Sequence, residues 1–65
     1  MKRYVVGVLD FFNNYIDLRK VEADDELEAA WKHPLLKGYE LDCDTVAQLD
    51  GELSNCDMTV SVIEI

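Results

Sequence analysis

The stretch RYVVGVL, residues 3–9, decides the fold. In a strand Tyr4, Val6 and Val8 fall on one side and Val5 and Leu9 on the other, so both sides are apolar. Its β-branched and aromatic residues favour extended backbone, and a strand apolar on both faces belongs at the centre of a sheet. Immediately after it, DFFNN (10–14) ends in the Asn-Asn pair of a turn. Then YIDLRKVEA (15–23) alternates Ile16, Leu18 and Lys20 with Asp17, Arg19 and Val21, which predicts a hairpin with a more polar second strand. At the far end DMTVSVIEI (57–65) sets Met58, Val60 and Val62 against Thr59, Ser61 and Ile63, the pattern of a strand with one face on a core.

Two helical segments lie between these strands. Asp24 or Asp25 can accept from the free N–H groups of a first turn, with Glu28 placed as a capping-box partner and the neighbouring acids favoured by the helix dipole. Leu27, Ala30 and Trp31 follow at helical spacing and are expected to face the sheet, Trp31 in the core. Pro34 removes a donor and disfavours helical geometry at His33, so the helix should stop there, with Gly38 as a later stop. His33 reads as a helix-end residue, where a positive imidazolium suits the dipole. After a connector over 39–44, Thr45 and Gln48 repeat the capping pattern before Val46, Leu49 and Leu53, one face of a second helix. Gly51 weakens its middle by up to about 1 kcal/mol relative to alanine, and Ser54 and Asn55 end it. The order is β-β-α-α-β. The expected fold is α+β: a two-layer sandwich in a single domain, 1–65, with a three-stranded sheet and both helices on one face.

Folding a chain of 65 residues hides only about 60% of its unfolded surface, so stability is marginal and a deep catalytic cleft is not expected. Cys43 and Cys56 read as free, partly buried thiols. There is no apolar run near the roughly 20 residues of a membrane span, and the charged start lacks the features of a secretory signal, so a cytoplasmic location is expected. Charge is uneven. Residues 1–23 sum to +1, whereas residues 24–65 hold only Lys32 and Lys37 against eleven acids and sum to −9. Such a field repels phosphate, which argues against direct nucleic-acid binding and for a partner with a basic surface.

Little of the chain suggests reaction chemistry. Asp42 and Asp44 resemble the start of a calcium loop, but Val46 stands at the third ligand position and Ala47 where glycine is required. His33, Cys43 and Cys56 lack zinc spacing, and Asp42 and Asp44 oppose ionisation of the Cys43 thiol. Gly7, Gly38 and Gly51 are isolated and form no phosphate loop. The expectation is a non-enzymatic protein with no catalytic residue, metal or cofactor. The candidate contacts are collective: Glu40, Asp42, Asp44, Asp50, Glu52 and Asp57 as one acidic surface, with Tyr39 as an aromatic anchor. The last strand, ending VIEI, leaves an open outer edge that suits a homodimer or an added partner strand.

KRYVVGVLDF at the start and KVEADDELEAAWKHPLL after it resemble the short acidic accessory proteins of large tailed bacteriophages, over about the first half of the chain. That resemblance implies a non-enzymatic protein that binds and disables a host factor, such as a restriction or CRISPR nuclease, a toxin or the transcription machinery. It carries over no site residues. The alternative is a self-assembling structural or scaffolding subunit.

Overall fold

In the computed structural model, which describes residues 1–39 and 42–65, the strands are β1 (Lys2–Asp10), β2 (Tyr15–Ala23) and β3 (Met58–Glu64). The helices are α1 (Glu26–Trp31) and α2 (Val46–Ser54), with a single 3-10 turn at Pro34–Leu36. The sheet order is β2-β1-β3, both pairs antiparallel, so the strand that is apolar on both faces is central. The β1–β2 turn is held by the Asp10 carboxylate, which accepts from the N–H groups of Phe12 (3.0 Å) and Asn13 (3.2 Å) and from the Asn13 side chain (2.8 Å). Asn14 takes a left-handed φ of 52°, which asparagine tolerates better than most residues.

Both N-caps are the residues the sequence offers, but Glu28 does not close a box at α1, its carboxylate facing Lys32 Nζ at 3.4 Å. Asp25 accepts the Glu28 N–H at 2.8 Å, and Thr45 Oγ1 accepts the Gln48 N–H at 3.1 Å, while Gln48 reaches back to the Asp44 N–H at 2.8 Å. The helices cover one face of the sheet. There Tyr4, Val6, Val8 and Val60 pack under Ala29, Ala30, Leu36, Leu49 and Leu53 in one buried cluster. Ala30 is buried as expected and Ala29 joins it as the seat of α1, whereas Leu27 and Trp31 are only partly buried around it. Small side chains let the helix backbone approach the sheet closely, and the bulky ones then fill the margin. Among the described residues no helix is long and apolar enough to cross a membrane.

The second strand carries an inversion. Val6 is opposite Arg19 and Val8 opposite Asp17, so the polar alternates of β2 lie on the helix side. Ile16 and Leu18 lie on the bare side, beside Leu9 and Gly7, and are 62% and 67% exposed. The cause is His33, which is wholly buried. Its Nε2 faces Asp17 Oδ1 at 3.1 Å and the Asp17 carbonyl at 3.2 Å, while its Nδ1 accepts the Leu35 N–H at 3.1 Å. His33 is therefore the N-cap of the 3-10 turn and a tie to β2, not a cation resting on the end of α1. Accepting at Nδ1 places the ring proton on Nε2, where it is donated to Asp17.

The outer edge of β3 is also partly occupied. Ile65 N–H donates to the Arg3 carbonyl, so alternate residues of β3 point toward β1 and Val60 N–H points outward. Asp50 Oδ1, from α2, accepts that N–H at 3.0 Å and the Thr59 hydroxyl as well.

Candidate protein-binding surface

The first turns of α1 and α2 meet at one end of the molecule, and the capping residues bring the acids there. Asp25, Glu26 and Leu27 border an open hollow of about 380 Å³ together with Asp44, Thr45 and Val46. Asp44 also borders a second hollow of about 380 Å³ with Asp42, Cys43, Gln48, Gly51 and Glu52. Five carboxylates thus surround two adjoining depressions: Asp25, Glu26, Asp42, Asp44 and Glu52. Among the described residues none of the five is in an ion pair; those pairs are Arg19–Asp17, Lys32–Glu28 and His33–Asp17. The free N–H groups at the start of α1 favour the negative charge of Asp25 and Glu26, while Glu52 lies toward the other end of α2.

Cys43 reports the same field from within it. Burial raises its thiol above the ordinary value, and the charges of Glu52, Asp42 and Asp44 raise it further. The thiol stays protonated near neutral pH and is a poor nucleophile. Both cysteines are free.

Only part of the sequence-derived acidic surface assembles. Asp42, Asp44 and Glu52 come together. Asp50 is half-buried and engaged with Thr59 and Val60, so its carboxylate serves the fold. Asp57 lies beyond the other end of α2, in a left-handed turn with φ 57°, where its carbonyl accepts the Phe11 N–H at 2.8 Å. Tyr39 is 37% exposed and its hydroxyl donates to Met58 Sδ at 3.4 Å, so it rests against the start of β3. Glu40 lies outside the described residues. In the other direction, Asp25 and Glu26 join the surface although their sequence signature is helix initiation. The capping Asp25 spends one oxygen on the Glu28 N–H. What the sequence reading lacked was the side-by-side placement of two helix starts.

The second polar cluster of the molecule is around Asp17. Arg19 Nε donates to Asp17 Oδ1 at 2.6 Å and Tyr15 Oη donates to Oδ2 at 3.0 Å, completing a set with His33. The Arg19 bond is the main cause that holds the Asp17 carboxyl below its ordinary value, with the Tyr15 bond and the charge of Arg19 adding to it. A histidine–carboxylate pair suggests proton transfer, but a general base needs a ring nitrogen open toward substrate. Here one nitrogen is on Asp17 and the other on Leu35 N–H, and the ring is sealed from solvent. The arrangement fastens the 3-10 turn to β2. Among the described residues no group of three or more His, Cys, Asp and Glu side chains is placed to hold a metal ion.

No protein-family model, curated protein or solved structure matches this chain.

Proposed function

We propose that this chain is a small, non-enzymatic acidic binding protein that occupies the basic surface of another protein in a stoichiometric complex. In this reading it acts as a phage-type inhibitor of a host protein engaged in defence, toxicity or nucleic-acid handling. The observation that carries the proposal is the convergence of Asp25, Glu26, Asp42, Asp44 and Glu52 around two adjoining hollows, with no base paired to them among the described residues. Asp25 is fixed by its bond to the Glu28 N–H, and the other four carboxylates are free of protein partners among the described residues, open to a groove lined with Arg and Lys. Their summed field also speeds encounter with a positive partner, and a surface of this kind competes for sites that take phosphates.

The test is capture of a partner from bacterial lysate by the purified chain at low and high salt, followed by titration with a triple variant, Asp42→Lys, Asp44→Lys and Glu52→Lys. Binding should weaken with salt and be lost in the variant, while its circular dichroism is unchanged. Affinity that survives the charge reversal would discard the electrostatic mechanism. A second reading, self-assembly, is favoured by a separate observation, the bare apolar face of the sheet.

A further inference from the structure

We infer that the bare face of the sheet seats a second copy of this chain, packed sheet against sheet about a two-fold axis that runs along β1. The inference concerns the face opposite the acidic surface and stands independently of the function proposed above.

Composition argues first. Register places Val5, Leu9, Ile16, Leu18 and Ile63 on this face, and Ile63 is 62% exposed in addition to Ile16 and Leu18. A contiguous apolar patch of this kind is rare on a protein that functions alone. A chain of this size has little core to spare, and its two cysteines form no bridge, so association is the remaining common means of reinforcement.

Charge argues for a copy rather than an unrelated partner. The net charge is −8, yet the charged residues at strand positions of this face are Arg3, Lys20 and Glu22, two bases and one acid. Two copies brought together here join their least negative faces. Sheets pack about 10 Å apart, and each helix layer adds about the same, so the acidic layers end up roughly 30 Å apart, beyond the Debye length of about 8–10 Å. Approach through the helix layers would set acids against acids.

Shape fixes the axis. Gly7, Thr59 and Ser61 lie at the floor and one side of a hollow of about 200 Å³, and Ile16 and Leu18 form the other side. Position 7 lets the Leu18 side chain lean across the strand at the border of this hollow: a Cβ there would be 2.8 Å from Leu18 Cδ2. Leu18 and Ser61 both stand level with Gly7, and Ile16 and Thr59 with Leu9. Rotation by a half-turn about β1 carries β2 of one copy over β3 of the other. Leu18 and Ile16 then descend onto Ser61 and Thr59 of the second copy, ridge into hollow, twice by symmetry. At the end of the face the two Arg3 residues face each other across the axis, each beside Glu22 of its own chain and offset by one strand spacing from Glu22 of the other copy.

Area is sufficient. Three strands spaced by about 4.8 Å and about eight residues long give a face roughly 15 Å by 25 Å, which with side-chain relief buries on the order of 1,000 Å² in total, the lower bound for a specific interface.

The test is sedimentation of the whole chain over a range of concentrations, for the parent, Leu18→Asp and Ser61→Arg. The parent should approach twice its 7.5 kDa mass. Both variants should stay at the mass of one chain, their dissociation constant raised on the order of a hundredfold, because each buries a charge without a partner. Far-ultraviolet circular dichroism checks that they fold; if Leu18→Asp does not, Ser61→Arg decides. The axis is tested with Leu18→Asp and Ser61→Arg together in one chain. With the axis along β1 the new carboxylate of each copy stands over the new guanidinium of the other, so the double variant should regain the dimer that each single variant loses, and a double variant that stays at the mass of one chain would overturn the axis. A parent at 7.5 kDa throughout, a dimer indifferent to both substitutions, or a face covered only when a different protein is added would each overturn the inference.

Discussion

On the helix side of β1, Tyr4, Val6 and Val8 are enclosed, and the polar residues that β2 brings there are tied to His33, Arg19 and Tyr15. On the other side Val5 and Leu9 are half-exposed, and Ile16 and Leu18 stand in water with no polar group to excuse them. A shift of one residue in the pairing of β2 would exchange these faces, burying the two aliphatics and releasing Asp17. The chain forgoes that exchange because buried His33 would be left without its acceptor, and an unsatisfied buried group costs about 1–3 kcal/mol. The contrast teaches that one face of the sheet makes the fold, while the other leaves aliphatic side chains in water.

That contrast is broken most severely on the enclosed side. Leu53→Ala removes a wholly buried side chain and should lower stability by about 3 kcal/mol, most of what so small a chain possesses. Leu18→Ser, on the bare side, should leave urea unfolding of dilute protein unchanged within about 0.5 kcal/mol, and fall behind the parent only as concentration rises. Equal losses for the two at low concentration would erase the distinction between the faces.

An acid titration sharpens the comparison next. The folded-state value of Asp17 is below its ordinary 3.8, so its contribution is fully present above that pH and is lost as pH falls through the folded value. The urea midpoint of the parent should therefore drop steeply below about pH 3.8, and Asp17→Asn should start lower and respond less. Identical pH slopes for parent and variant would remove the ionised tie from the account of why β2 is inverted.

The smallest effect is expected at Gly7→Ala. The added methyl meets the end of a flexible leucine side chain rather than backbone, so Leu18 can move aside, and the folded monomer should change by less than about 1 kcal/mol. Filling the hollow should still weaken self-association several-fold, read by sedimentation. A large loss of monomer stability would mean that the glycine serves the strand and not the face.

The architecture was legible in the sequence because its signals are local. Residues 3–9 announce a central strand, Asp25 and Thr45 announce helix starts, and Pro34 and the Asn-Asn pair announce stops, each through the backbone geometry of one or a few residues. Which side of β2 faces the core was not legible, since it depends on a contact between Asp17 and His33 across sixteen positions. Asp50 and Asp57 failed to join the acidic surface for a related reason. Sequence proximity to Asp42 and Asp44 does not say that one carboxylate turns inward to β3 and the other is carried past the far end of α2. Asp25 and Glu26 joined it because the helices start at the same end, a fact of topology.

The Asp50 carboxylate on the outward N–H of Val60 has a consequence for how the sheet ends. A border strand with every outward group vacant is a template on which further strands can be laid without limit, the route to fibrils. By seating a side-chain oxygen where an incoming backbone carbonyl would go, α2 interrupts that template in its middle. Growth by strand addition is thereby discouraged, while closed pairing through the broad surface of the sheet stays open.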